Sequence, residues 1–162
     1  MNPSVYVETT VVSYLTARPH RDIVVAAHQQ LTREWWDGAT DRYQLFISDL
    51  VLVEASRGDR VAAAERLAAL EPLAQLEITR EDQALAKRLV EAAAIPAAAA
   101  EDALHIAVAA ANGCDFLVTW NFRHIANPAM KNRIADVCRA AGYVSPVICT
   151  PEELKEGRDY VD

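Results

Sequence analysis

The chain has 162 residues, 52% hydrophobic and 24% charged, a balance that suits one globular unit and lies outside disordered or collagen-like compositions. No apolar run approaches the roughly 18 residues of a membrane span, and Met1-Asn2-Pro3 leads straight into Val5-Tyr6-Val7 with no signal-peptide pattern. Cys114, Cys138 and Cys149 form an odd, widely spaced set, which predicts buried reduced thiols and a cytoplasmic setting. The formal charge of −7 opposes nucleic-acid binding, which draws on Lys and Arg, unless part of it holds a divalent cation that screens the rest.

In chain order, five short β-branched and aromatic runs read as strands: Ser4 to Val7, Gln44 to Ser48, Leu73 to Ile78, Asp115 to Thr119 and Pro146 to Cys149. A helix is predicted from Asp22, with Ala27, Leu31 and Trp35 as a core stripe and Trp36 off it. Arg57-Gly58-Asp59 reads as a helix end at Gly58. Thr79 with Asp82 makes a capping box before a helix from Glu81 to Ala94, which Pro96 separates from another running from Ala97 to Asn112-Gly113. Asn127 and Pro128 are expected to start the helix toward Gly142, and Thr150 with Glu153 to cap a last one at Pro151. Near-continuous apolar strands alternating with helices predict a three-layer α/β sandwich with a mainly parallel central sheet, one unit over residues 1–162.

In parallel α/β sheets ligands gather outside the carboxyl ends of the strands. Glu8 follows the first strand, Glu54 lies a helical turn beyond the second, and Asn121 follows the fourth. Asp102 is set in the otherwise apolar helix from Ala97. Each has an ordinary reading: Glu8 as a helix cap, Glu54 as a partner of Arg57, Asp102 as an acid in a helix first turn, Asn121 as a turn residue. Taken together they are hard oxygen donors at one end of a sheet, the set that Mg²⁺ or Mn²⁺ takes. Thr9 and Thr119 stand beside them and can orient ligands or water. His105 reads as a hydrogen-bonded structural histidine, and His20, His28 and His124 form no ligand spacing with the cysteines. A Gly-rich phosphate loop and a Gly-x-Ser-x-Gly elbow are both missing from the sequence.

Tyr6-Val7-Glu8-Thr9-Thr10, Ile47 to Glu54, Glu101 to Ala107 and Leu117-Val118-Thr119-Trp120-Asn121 give the chain, over nearly its whole length, the order of motifs of a PIN domain, and it resembles the VapC-type toxin ribonucleases. The resemblance implies metal ligands at Glu8, Glu54, Asp102 and Asn121, with Glu8 where the family usually has Asp and Asn121 where it often has Asp. It further implies a Mg²⁺- or Mn²⁺-dependent endoribonuclease with an RNA substrate, a cognate antitoxin as partner and a homodimeric state. The competing expectation is a non-catalytic PIN-like module that binds protein or RNA.

Overall fold

In the computed structural model, which describes residues 1–155, the strands are β1 (Ser4–Val7), β2 (Gln44–Ser48), β3 (Ala74–Leu76), β4 (Phe116–Val118) and β5 (Val147–Cys149). They form one sheet in the order β3-β2-β1-β4-β5, and every neighbouring pair is parallel. The third, fourth and fifth strands are shorter than their apolar runs suggest, because only residues in register with a neighbour enter the ladder. β1 is the middle strand, and Val5, Tyr6 and Val7 are fully buried. A central parallel strand is covered on both faces, so its sequence has no polar alternation.

The helices are α1 (Thr9–Thr16), α2 (Ile23–Trp36), α3 (Ala39–Arg42), α4 (Asp49–Ala55), α5 (Arg60–Leu70), α6 (Arg80–Glu91), α7 (Ala100–Ala111), α8 (Lys131–Ala140) and α9 (Pro151–Leu154). α1 packs with α2, α4 and α5, and α9 joins α2; α6 packs with α7 and α8. This division follows from the strand order. The chain steps outward from β1 to β3, then returns past β1 to β4 and β5, so right-handed crossovers put the two sets of helices on opposite faces of the sheet. The result is the three-layer architecture expected from the sequence. Among the described residues no helix is long and apolar enough to cross a membrane.

Local chemistry sets most helix ends. Asp22 accepts from the backbone N–H groups of Val24 and Val25 at the start of α2, and both Thr79–Asp82 and Thr150–Glu153 form reciprocal capping boxes. Several expectations change: the helix predicted to run to Ala94 ends at Glu91, and the one predicted to end at Gly58 ends at Ala55. The helix toward Gly142 begins at Lys131, because Asn127 spends its side chain on the N–H of Ala129 and closes a separate turn first. The Ala97 segment opens as a 3₁₀ turn, Ala97–Ala99, before α7. On α2, Leu31 and Trp35 are buried but Ala27 is exposed; Trp36 is half-buried against the core. All three cysteines are buried and unpaired.

The Thr79 cap is exposed and its contribution is local. Thr79→Ala should therefore lower stability by about 1 kcal/mol and the melting temperature by roughly 2–4 °C, read by circular dichroism, with the native spectrum unchanged.

Candidate active site

The switch in strand order falls between β1 and β4. There the backbone N–H of Glu8 donates to the carbonyl of Val118 at 3.1 Å, so the segments leaving both strands start side by side. An open crevice at such a point is the usual ligand site of this architecture. Glu8, Glu54, Asp102 and Asn121 belong to the segments that meet there, and hydrogen bonds and charge interactions tie them together through His105.

Glu8 is 3% exposed and caps α1, so its ordinary reading as a cap holds. Its Oε2 accepts from the backbone N–H of Thr10 at 3.0 Å, from the Thr10 hydroxyl, and from the Thr119 hydroxyl at 2.8 Å. Oε1 takes none of these bonds. Burial drives the Glu8 carboxyl above its usual range, and the charge of His105 and the threonine bonds only partly offset that rise. Thr10, which the sequence did not single out, also accepts from the N–H of Trp120 at 2.9 Å and so ties α1 to the exit of β4.

Glu54 is held differently. Its Oε1 accepts from the Thr9 hydroxyl at 2.7 Å and from Nε2 of the fully buried His105 at 2.5 Å. The Nδ1 of His105 meets the Tyr6 hydroxyl at 2.7 Å, which in turn meets the Ser48 hydroxyl at 2.8 Å. Burial would raise the Glu54 carboxyl, but the hydrogen bond and charge of His105 and the Thr9 bond outweigh it and bring it down to about 2. For His105, burial lowers and Glu54, Glu8 and Asp102 raise; the acids win, and the imidazole gains basicity. With His105 protonated, Nε2–H donates to Glu54 and Nδ1–H to Tyr6. The expected structural histidine is therefore hydrogen-bonded as read, and its partners are in the site. The alternative partner for Glu54 fails: Arg57 forms its ion pair with Glu101, through two bonds of 3.0 and 3.2 Å.

Asp102 lies in the first turn of α7 and is half-buried. Burial raises its carboxyl, while a hydrogen bond from Asn121 and the charges of His105 and His124 lower it; the net direction is up. Asn121 is fixed at both ends, since its N–H donates to the Thr119 hydroxyl at 2.9 Å and its Oδ1 accepts from the N–H of His124 at 3.1 Å. Its amide oxygen closes a turn and its NH₂ serves Asp102. The preceding Trp120 is locked by stacking on His28, with ring centroids 4.2 Å apart, and by an Nε1 bond to the Thr32 hydroxyl at 2.7 Å. That anchor was invisible in the sequence because Thr32 and His28 lie on α2.

Among the described residues no three His, Cys, Asp or Glu side chains stand as a finished metal cage. The donor chemistry nevertheless fits a hard divalent cation. Glu8, Glu54 and Asp102 offer only carboxylate oxygens, and the raised values of Glu8 and Asp102 mark desolvated acids short of positive charge.

A family model for the PIN domain matches residues 5–127. No curated protein sequence matches the chain significantly. Among solved structures, the chain is similar in fold to a chain of the crystal structure of VapBC2 from Rickettsia felis bound to a DNA fragment from their promoter. The identity is 15%, the match covers 90% of this chain and 97% of that one, and the TM-score is 0.59.

The pair of Glu54 and His105 gives stability a defined pH dependence. The lowered Glu54 contributes above its ordinary value of 4.5, and that contribution is lost as pH falls toward about 2. The raised His105 contributes fully below 6.5, and that contribution is lost as pH rises through its higher folded value. The raised Glu8 and Asp102 also cost stability as pH rises through their values. Wild-type protein should therefore lose stability to urea from pH 6 upward. Glu54→Gln should show a shallower loss, because His105 is then neutral across much of that range; equal slopes would mean that His105 carries no proton in the native state.

Proposed function

Because the chain belongs to the PIN-domain family, we propose that it is a divalent-metal-dependent endoribonuclease and the toxin of a two-gene toxin–antitoxin pair. The observation that carries the reading is the linked set of Glu8, Glu54 and Asp102 at the switch point between β1 and β4, with the buried His105 imidazole among them. Glu8, Glu54 and Asp102 would hold Mg²⁺ or Mn²⁺, which when bound acidifies water and stabilises charge on a phosphodiester. The chain's own groups prepare those oxygens. His105 and Thr9 keep Glu54 ionised, Thr10 and Thr119 aim Glu8, and the Asn121 amide holds Asp102. On this geometry Asn121 acts through Asp102, as a positioning residue; a direct metal contact from its oxygen would compete with the bond from His124.

A cognate antitoxin and a homodimer belong to the same proposal, which also takes the full 162 residues as one unit. The VapBC2 complex on promoter DNA supports the first by analogy of fold. The purified protein is expected to cleave single-stranded or structured RNA with Mg²⁺ or Mn²⁺ and to stop in chelator. Glu54→Gln and Asp102→Asn should each lower turnover by about 10² or more, as expected for removal of a group that supports the reacting metal. RNA cleavage assays alongside thermal melts check both, and unchanged cleavage in the two variants removes the proposed site. RNA binding without cleavage in wild-type protein would leave a binding module instead.

Expression of the chain alone should slow bacterial growth, and co-expression with a small protein encoded beside it should restore growth through a complex that copurifies. Growth at the normal rate under expression of a cleavage-competent protein would reject the toxin assignment while leaving the ribonuclease intact.

A further inference from the structure

A concavity of about 500 Å³ lies beside the Asp102 end of the candidate site and is lined by basic side chains. Ala93, Pro96, Arg123, His124, Met130 and Arg133 line it, and its lining holds no acid. His124 also lines a smaller pocket with Glu101 and Asp102, so the two cavities share a wall at the Asp102 side of the site. Among the described residues neither Arg123 nor Arg133 enters an ion pair; Arg133 makes only a long bond, 3.4 Å, from Nη1 to the carbonyl of Ala93. Two guanidinium groups facing one cavity repel one another, and no carboxylate lines that cavity to offset them. An anion bound between them would relieve that repulsion.

The backbone ties the two cavities in register. Asn121 Oδ1 accepts from the N–H of His124, so the turn that presents Asn121 to Asp102 also fixes where Arg123 and His124 begin. We propose that this cavity is a phosphate subsite, in which Arg123, His124 and Arg133 hold the backbone phosphate next to the scissile one in a single-stranded RNA. The proposal rests on the ribonuclease reading for the identity of the strand. A guanidinium fork matches two phosphate oxygens, and an unpaired strand can bend its neighbouring phosphate into a recess that a stacked duplex cannot enter. Cation binding and phosphate binding are thereby assigned to adjacent places, which removes the conflict between an acidic chain and a polyanionic substrate.

The test is fluorescence anisotropy of a 5′-labelled single-stranded RNA hexamer with the full chain in Ca²⁺, at several salt concentrations. Wild type is compared with R123Q/R133Q, with R123K/R133K, and with R18Q/R21Q, which removes the same charge from the exposed segment after α1. R123Q/R133Q is expected to weaken binding about tenfold or more. Its salt slope should fall by about 0.7 for each phosphate that the variant no longer neutralises. The lysine pair should retain part of the affinity and R18Q/R21Q nearly all of it, with melting temperatures unchanged throughout. In cleavage with Mn²⁺ the glutamine pair should raise KM and leave kcat in place. An equal loss of affinity in R18Q/R21Q would reduce the effect to bulk charge and overturn the subsite, and equal affinity in all four proteins would overturn it in favour of a protein carboxylate as occupant. If wild-type protein binds RNA but never cleaves it, the ribonuclease reading falls while the binding comparison still decides the subsite.

Discussion

Carboxylates gathered at one end of a parallel sheet repel one another and lose hydration, and the folded chain has to hold them there against both effects. His105 is the group that makes this possible. It is fully buried, it bonds Glu54 directly, and its charge acts on Glu8 and Asp102 as well. Its position is set in turn by the Tyr6 hydroxyl, which projects from the middle strand and is itself held by Ser48 at the end of β2. One imidazole cannot neutralise three acids. Glu8 and Asp102 remain above their ordinary range, while Glu54, which holds the imidazole directly, falls below it. The site is thus divided into a carboxylate already compensated and two that still seek positive charge.

The threonines complete the arrangement without adding charge. Thr9 serves Glu54, while Thr10 and Thr119 serve Glu8 from two different elements. Short hydroxyl side chains suit this role because they have little rotamer freedom to lose and can donate while their own oxygens accept, as Thr10 does from Trp120 and Thr119 does from Asn121. The hydrogen-bonded chain therefore runs from α1 through Glu8 to the exit of β4 in a closed loop.

The positions of the acids were legible in the sequence because burial of a parallel sheet leaves little else polar at the strand ends: Glu8 and Asn121 each follow an apolar run directly. The strands were legible for the same reason, and the capping boxes at Thr79 and Thr150 because their partners lie three residues away. What the sequence hid depends on contacts between distant segments. Tyr6 meets His105 across 99 positions, Thr119 meets Glu8 across 111, and Arg57 reaches Glu101 across 44 instead of the nearer Glu54. The start of α8 departs from expectation because Asn127 and Pro128 are equally good at opening a helix or closing a turn, and the local signal does not choose. Ala27 lies at the right spacing for the core stripe, but small size lets it stand outside without cost.

The bond between Glu54 and His105 joins α4 from one helical layer to α7 from the other. During synthesis, Glu8 and Glu54 leave the ribosome well before the second layer exists. Until α7 and the end of β4 have followed and packed, Glu54 lacks its imidazole partner and Glu8 lacks the Thr119 hydroxyl. A nascent or truncated chain therefore carries the first two acids without the arrangement that aims them. Whatever chemistry the site performs therefore waits until nearly the whole sheet is in place, because its parts come from both ends of the chain.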